Sequence, residues 1–560
     1  MKMKKLHIIF LFVPIVAFGQ ITSDEFNQQF VNQIEEQVVS FTDRNLYLSG
    51  EQIWFSSLVL INNKIEESNL SDIMFAELFD RNTKRMASAK FLIVENRCFG
   101  SLQIPPETLS GAYFIRFYTK YQRNWSSDKF ATIPLTIINT ELTLPASDKQ
   151  TSSGENNNQS GNDGISIKTD GSQYEPRSLV NVEINFAKNF DGYYCISAAK
   201  TGTIEPIKNK TPENISLKLD TNFLVPDVNG LSLSGFVRDK QSGKPMPDVP
   251  VFLTAFDLNN LFHISKTKSN GSFLFALNKM EGQADVFLSI DPSTHPNTEV
   301  LINNDYSGHF ATFPDHQFII DSSYKDLLVE MLVNFETKKI FTESDQQPGQ
   351  PFRAITNLPT NYDFIVNLDD FIDLASLQEV IYEIVPPVSV KTDKYGKYLA
   401  VANYQTQQVS RADLIILDDV PVFNVDELLK ISPTNIASIE VINRPYYLGD
   451  NLLKSIVSIK TKTGDFGGYK FPSQSIFLEY QALSNSKHFT APDFSSKDLK
   501  QNTFPDFRTT MFWCPFTGLS SRDTTLSFYT SDAKGKYDIF FKAVSKNGEI
   551  LSGSASIVVE

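Results

Sequence analysis

Histidine, the usual donor for metal and acid–base chemistry, is scarce. The chain has 6 in 560 residues. His7 lies in the N-terminal apolar stretch. His263, His295, His309, His316 and His488 form no HExxH pair and no spacing that builds a zinc site. His309 with Asp315 and His316 is a conceivable metal cluster, but histidines exposed at turns are the simpler reading. A GxSxG elbow, a P-loop and a dinucleotide-binding glycine fingerprint are all missing. Cysteine is scarcer still. Cys98, Cys195 and Cys514 are three, an odd number, and far apart. An oxidising compartment would permit one bridge, not a disulfide framework. Composition leaves a Cys–His catalytic pair open, yet no cysteine has a recognisable catalytic context. The three read as buried apolar residues, with any pairing open. No catalytic residue and no cofactor site is assigned, and an enzyme is the least supported class.

Aromatic residues are abundant, at 12%, with 45 phenylalanines. Flat rings fill the space between packed sheets, so this suits sheet-on-sheet cores. The length suggests about three to five domains. An apolar fraction of 41% is enough to build several cores and excludes disorder throughout.

Residues 1–19 begin with a positive head (Lys2, Lys4, Lys5). An apolar run from Leu6 to Phe18 follows, and Ala17-Phe18-Gly19 places small residues before a cut. This predicts a secretory signal cleaved before Gln20. The run is short for a membrane span, and with no cysteine after the cut a lipid anchor is not expected. Cleavage removes three lysines and takes the formal charge from −14 to −17. Such a surface disfavours nucleic acid and anionic lipid. Phe26, Phe30, Val31 and Ile34 fall at helical spacing, predicting a short helix over 20–37.

From 38 to 142 the chain is strand-rich. In 41–60 and 104–125 a turn glycine leads into an aromatic run. Residues 143–164 are rich in Ser, Asn and Gly and predict a flexible linker. Alternation at Ile165, Ile167, Val180, Val182 and Ile184 predicts a small sandwich over 165–229. Over 230–308, a Ser242-Gly243-Lys244-Pro245 turn separates two strands, and Asn270-Gly271 forms a hairpin turn into Phe273–Phe275. Residues 309–400 give no clean division, apart from a helix expected from about Asp369 to Tyr382. Over 401–467 the order is an apolar strand at Leu414–Leu417, a turn at Asp418-Asp419, a short helix at Val425–Leu429, and alternating strands at 437–443 and 455–462. That is a small α+β unit. The tail from 468 to 560 predicts a further β-sandwich with a Lys546-Asn547-Gly548-Glu549 turn. The fold class expected is mainly β, a string of small Ig-like or transthyretin-like β-sandwiches with one α+β unit.

Several stretches resemble known families. Thr42-Asp43-Arg44, Tyr47, Gly50-Glu51 and Trp54-Phe55, with Gly111, Tyr113, Arg116 and Tyr118-Thr119, resemble the macroglobulin-type β-sandwich of exported Bacteroidetes-type proteins. Residues 231–277 resemble the carboxypeptidase-regulatory, transthyretin-like sandwich, whose implied role is structural. Residues 414–464 resemble the plug of TonB-dependent outer-membrane receptors. Two departures stand out: Asp419 replaces a usual glycine, and Tyr447–Leu453 replaces a glycine-rich loop, where only glycine takes φ > 0 cheaply. A barrel of that family implies about twenty-two strands of about nine to eleven residues. The 93 residues after Gly467 do not supply them. Phe504–Thr510, Trp513 with Pro515, and Thr530-Ser531-Asp532 resemble the closing domain of the same exported proteins.

Other residues invite a binding role. Thr42-Asp43-Arg44 with Gly50-Glu51 reads as a strand end and a turn before it reads as a recognition patch. Trp54, Trp125 and Trp513 read as packing residues before glycan platforms. Asp418 and Asp419 supply too few oxygens for calcium and read as a solvated turn. The resulting expectation is a non-enzymatic cell-envelope interaction protein, in the periplasm or associated with the outer membrane, or else on the cell surface or secreted. Its expected partners are outer-membrane transport or assembly proteins, bound at sheet edges. No transmembrane segment is expected after signal cleavage. One alternative is a macroglobulin-like protease-binding protein with 145–164 as its bait, although the Gly-Cys-Gly-Glu-Gln thioester sequence is missing. Another is an atypical outer-membrane receptor component.

Overall fold

The computed structural model describes residues 34–66, 70–142, 164–204, 227–228, 230–256, 261–278, 280–310, 316–342, 358–359, 361–449, 451–496, 500 and 504–560. The expected signal segment, residues 20–33 of the expected first helix and residues 143–163 of the expected linker lie outside them. The last residues of that expected helix, Glu36 and Gln37, instead open the strand Glu36–Thr42. The described chain is mostly β-strand, arranged in several sheets, with one long helix at Lys325–Thr342.

The first unit stacks two sheets. One pairs Glu36–Thr42, Gln52–Ile61 and Arg97–Gln103; the other orders Leu46–Leu48, Ala131–Ile138, Gly111–Thr119, Ile73–Asp80 and Arg85–Leu92. Side chains alternate across a strand, so each sheet sends one row inward. Ile53 and Phe55 from the first sheet meet Met74, Ala76, Ile115 and Phe117 from the second. The Phe55 ring lies 4.7 Å from Phe117 and 4.9 Å from Phe91.

Residues 165–229 and 468–560 were expected as separate sandwiches. Strand pairing instead joins parts of both in one sheet. Leu179–Lys200 pairs antiparallel with Thr510–Tyr529 along nearly its whole length and with Gly535–Ser545 over its second half. Ile550–Val559 adds to that edge, and Gln173–Tyr174 pairs with its end. A register shift between Asn185 and Phe190 breaks the ladder, and such bulges bend strands. On the near side of it, Ile165–Thr169 takes the place of Gly535–Ser545 beside the long strand. Val180, Ile184, Ile196, Ile539, Phe541 and Ile557 share the enclosed core.

The third unit faces a three-stranded sheet (Ser272–Asn278, Leu231–Asp239, Thr298–Ile302) against a four-stranded one (Leu261–Lys266, Pro250–Ala255, Gln283–Ser289, Ile476–Gln481). Its fourth strand is thus borrowed from the region expected in the C-terminal sandwich. The Asn270-Gly271 turn forms as expected: Gly271 has φ +76°, and a Cβ there would stand 2.5 Å from the Val237 carbonyl oxygen.

The fourth unit reaches further toward the N-terminus than the expected 401. Phe364–Asn367 pairs with Ile436–Ile442, which continues through Ile456–Thr461 and Leu414–Leu417 to Val420–Pro421. The helix Leu377–Ile384 buries Leu377, Val380 and Ile381 in the core that holds Leu417, Leu428 and Ile459. That helix is shorter than the expected 369–382. Ser376 caps it by accepting from the Glu379 amide, and only a single 3-10 turn forms at Leu368–Asp370. The long helix at 325–342 packs on the first unit through Leu327, Leu328, Met331 and Phe335, against Leu46, Leu48 and Ile138. No helix among the described residues is long and apolar enough to cross a membrane.

Candidate functional site

The polar residues singled out in the sequence divide into buried struts and exposed groups. Asp43 is fully buried. Its carboxylate accepts from the Tyr47 hydroxyl at 2.7 Å, the Trp54 amide at 3.0 Å and the Thr510 hydroxyl at 2.5 Å. Its carbonyl accepts from the Ser197 hydroxyl at 2.7 Å. Arg44 lies beside it at 3.2 Å and reaches Glu51 at 3.1 Å. Gly50 turns with φ +86° against the Phe335 ring. The Thr42-Asp43-Arg44 and Gly50-Glu51 group is therefore a fastening between the first and second units, and Thr42 and Asp43 border a small cavity of about 30 Å³ there.

Arg116 has the same character. Its guanidinium pairs with buried Glu77 at 2.7 Å and donates to the carbonyls of Ser307 and His309 at 2.8 and 2.7 Å. The rings of Phe79 and Phe310 lie 4.7 and 4.4 Å from it. Lys90, also buried, pairs with Asp305 at 2.5 Å and donates to the Gln481 carbonyl at 2.8 Å. These contacts tie the first unit to the third.

Asp418 and Asp419 depart from the expected solvated turn: both are buried. They occupy the left-handed region, with φ +46° and +69°. The Asp418 carboxylate offsets that strain by accepting from the Thr461 amide (2.7 Å), the Thr461 hydroxyl (2.6 Å) and the Phe466 amide (2.9 Å). Asp419 pairs with Lys460. Aspartate is among the few residues that tolerate αL, because its short side chain hydrogen-bonds locally. That accounts for a carboxylate in a position where the resembled family has glycine.

His309 and His316 are not assembled into a metal site. Nε2 of His316 lies 3.2 Å from the Thr136 hydroxyl and 3.1 Å from the Leu135 carbonyl oxygen; Asp315 lies outside the described residues. Among the described residues no three His, Cys, Asp or Glu side chains are grouped to hold a metal. The three cysteines are free thiols, with Cys98 and Cys195 buried and Cys514 half-buried. Burial pushes the Cys195 thiol up to about 12. Trp125 and Trp513 are buried, and Trp54 stands edge-on to Phe489 at 5.5 Å.

Two accessible features went unmarked in the sequence. The first is the outer edge of Thr510–Tyr529. Among the described residues that strand ends its sheet, and from Thr517 to Ser527 most residues are exposed. The second is a cleft of about 540 Å³ between the third and fourth units, lined by Phe256, Asp285, Gly464, Phe466, Phe477 and Glu479. The outer face of the four-stranded sheet builds one wall. Further along, that face is covered: the Thr254 hydroxyl donates to the Asp419 carbonyl at 2.7 Å, and the Phe252 ring lies 5.4 Å from Phe423. Phe287 meets Phe471 and Phe477 at 5.1 and 4.6 Å. Beyond this contact the two units part and the cleft opens. The volume lies within the usual range of ligand sites. No sequence signal marks it, because its walls come from four separate chain segments.

Comparison with solved structures gives weak likenesses. Native Escherichia coli alpha-2-macroglobulin matches with a TM-score of 0.23 and 8% identity, over 94% of this chain and 40% of that one. Salmonella alpha-2-macroglobulin reacted with methylamine gives 0.24 and 8%, over 94% and 39%. A tetra-tandem repeat from the extending region of a large adhesion protein gives 0.14 and 7%, over 94% and 99%. The chain spans about two-fifths of the length of the macroglobulins it matches. Scores this low carry no argument about fold or function. Neither a family model nor a curated protein matches the chain.

Proposed function

We propose that this chain is an exported, non-catalytic scaffold that binds other proteins of the cell envelope through sheet edges. The observation that carries the reading is the outer edge of Thr510–Tyr529. Among the described residues its partner strand lies on one side only, and Thr517–Ser527 is largely exposed. Eleven residues of strand extend about 35 Å, enough for a partner segment to add by main-chain hydrogen bonds. Arg522 and Asp523 interrupt the edge with charge, a device that limits indiscriminate pairing while leaving room for a matched partner.

The signal-like N-terminus supports export, and the plug-like and regulatory-like stretches support a partner in outer-membrane transport or assembly. Photo-crosslinking residues placed at Ser520 and Thr525 would test the reading in intact envelopes. Capture of an outer-membrane protein is expected; capture of nothing, or only of further copies of the chain, would overturn it. Fractionation with protease shaving of whole cells should place the protein at the periplasmic face of the outer membrane.

A second reading is a macroglobulin-like protease-binding protein. It is favoured by the first unit, where the residues that carry the macroglobulin resemblance lie in a two-sheet sandwich. Incubation with trypsin decides it. A protease left unbound and fully active on protein substrates removes this reading.

A further inference from the structure

The cleft between the third and fourth units sets two exposed carboxylates side by side. Asp285 and Glu479 are directly opposed on neighbouring antiparallel strands, so their side chains share the cleft face. Like charges in that position repel and destabilise the pair. Among the described residues neither carboxylate forms an ion pair or accepts a side-chain hydrogen bond. Two pairs along the register, on the same face, Phe287 opposes Phe477, and Phe477 is 52% exposed. Phe466 faces it across the cleft at 6.3 Å. Two carboxylates beside aromatic faces are what a guanidinium or ammonium group needs: opposite charge for the cation, and rings for its flat or methylene surface.

Main-chain geometry adds a second constraint. Among the described residues Ile476–Gln481 pairs only with Gln283–Ser289; Lys90 and Ser88 of the first unit hold its end at Gln481, and Ile476–Glu479 remains the edge of its sheet. A strand added there would send alternate side chains to the two faces. One row would reach the acidic cleft beside Phe477 and Glu479. The other would continue the apolar row of Ile476, Leu478 and Tyr480, which packs into the sandwich core.

We infer that this edge and cleft receive an extended segment of a protein partner, with apolar residues alternating against polar ones and a lysine or arginine seated between Asp285 and Glu479. The inference rests on the protein-binding reading above but uses a different surface.

The probes are two fluorescent nine-residue peptides of alternating threonine and valine, one with a central arginine and one with a central glutamate, titrated into the full chain. The arginine peptide is expected to bind at least about tenfold more tightly, the effect of roughly one ion pair, and to weaken as salt rises. The double variant Asp285→Lys, Glu479→Lys should reverse the preference. The milder Asp285→Asn, Glu479→Gln pair should abolish the preference while leaving thermal stability unchanged or raised, since the opposed charges are gone. Phe477→Ala should weaken arginine-peptide binding several-fold, and proline on either side of the arginine should abolish strand addition. Equal affinity for the two peptides, no binding of either, or binding of neutral oligosaccharides in their place would overturn the inference. An envelope partner captured at Ser520, together with equal affinity of the full chain for the two peptides, would leave the protein-binding reading standing and remove this site. Peptide binding without any captured partner would do the reverse.

Discussion

Buried charge is the strongest constraint at the scale of single residues. Glu77 is enclosed with Arg116 at 2.7 Å, Arg85 at 2.6 Å and the Tyr118 hydroxyl at 2.8 Å. Removing one member of a buried pair leaves the other charge unpaired in a low dielectric. Glu77→Ala is therefore expected to cost about 3–5 kcal/mol, read as a lower urea midpoint. Lys542 presents the opposite case. It sits over the Phe41 ring at 4.1 Å, at a cavity of about 30 Å³ shared with Asp43, Cys195 and Ser197, and burial lowers its pKa from 10.5 to about 8. The unfolded chain then holds more protons than the folded one between about pH 8 and 10.5, so stability rises with pH across that window. Below it, both states are protonated and the cost of burying the charge is fully felt. Lys542→Met should stabilise the protein by roughly 1–2 kcal/mol at pH 7, and its advantage should shrink as pH approaches 10. Paired thermal melts across that range check the sign. Of these groups, Arg116 and the Asp43 motif were visible in the sequence as residues of note, and a strand end and a turn were legible there. Their burial was not, because it depends on Thr510, Ser197 and Ser307, all more than a hundred positions away.

Local chemistry decides most single elements, and there the sequence was most readable. The Asn270-Gly271 and Asn547-Gly548 turns form where glycine supplies positive φ, at +76° and +79°. Alternating strands at 436–442 and 456–461 lie within a residue of their expected bounds. The helix Lys325–Thr342 carries no such signal, because its apolar residues follow no clean helical period. Only one side rests on the first unit, and Val329, Val333 and Ile340 stay exposed. The long strand Leu179–Lys200 carries a close approach that no pattern shows: a Cβ on Gly192 would stand 2.1 Å from the Val544 carbonyl oxygen. Gly192→Ala must push the neighbouring strand away and is expected to cost at least about 2 kcal/mol. A fall in the thermal midpoint with loss of amide protection along Gly535–Ser545 would register it in hydrogen exchange.

Across the whole molecule, the decisive fact is that sequence neighbours are not always spatial neighbours. Leu179 pairs with Tyr529, and Val182 with Leu526. Periodicity gives each strand its inward face but carries no address for its partner, which is why two segments of one sheet read as two domains. Closing loops of this length is slow. Refolding of the second unit should lag behind that of the fourth, whose strands lie between Phe364 and Thr461. Stopped-flow traces with a tryptophan placed in each core would show two phases. A chain ending at residue 509 should leave Val180, Ile184 and Ile196 without their cover from Ile539, Phe541 and Ile557. It is expected to bind a hydrophobic dye and aggregate, and the first unit is expected to lose stability with it, because Phe41, Leu58 and Leu60 lose Trp513, Phe516 and Val544 and Asp43 loses the Thr510 hydroxyl.

The same pairing sets a clock on biogenesis. Ribosomes deliver a chain from its N-terminus onward, yet the strand at Ile550–Val559 is the cover under which Ile165–Thr169 packs, with Gly553 against Ile167. Nearly four hundred residues must follow that early strand before its shelter arrives, a gap that leaves it open to proteases and holdase chaperones during delivery. Such a chain stays unfinished until late, which makes chaperone dependence a property of its topology.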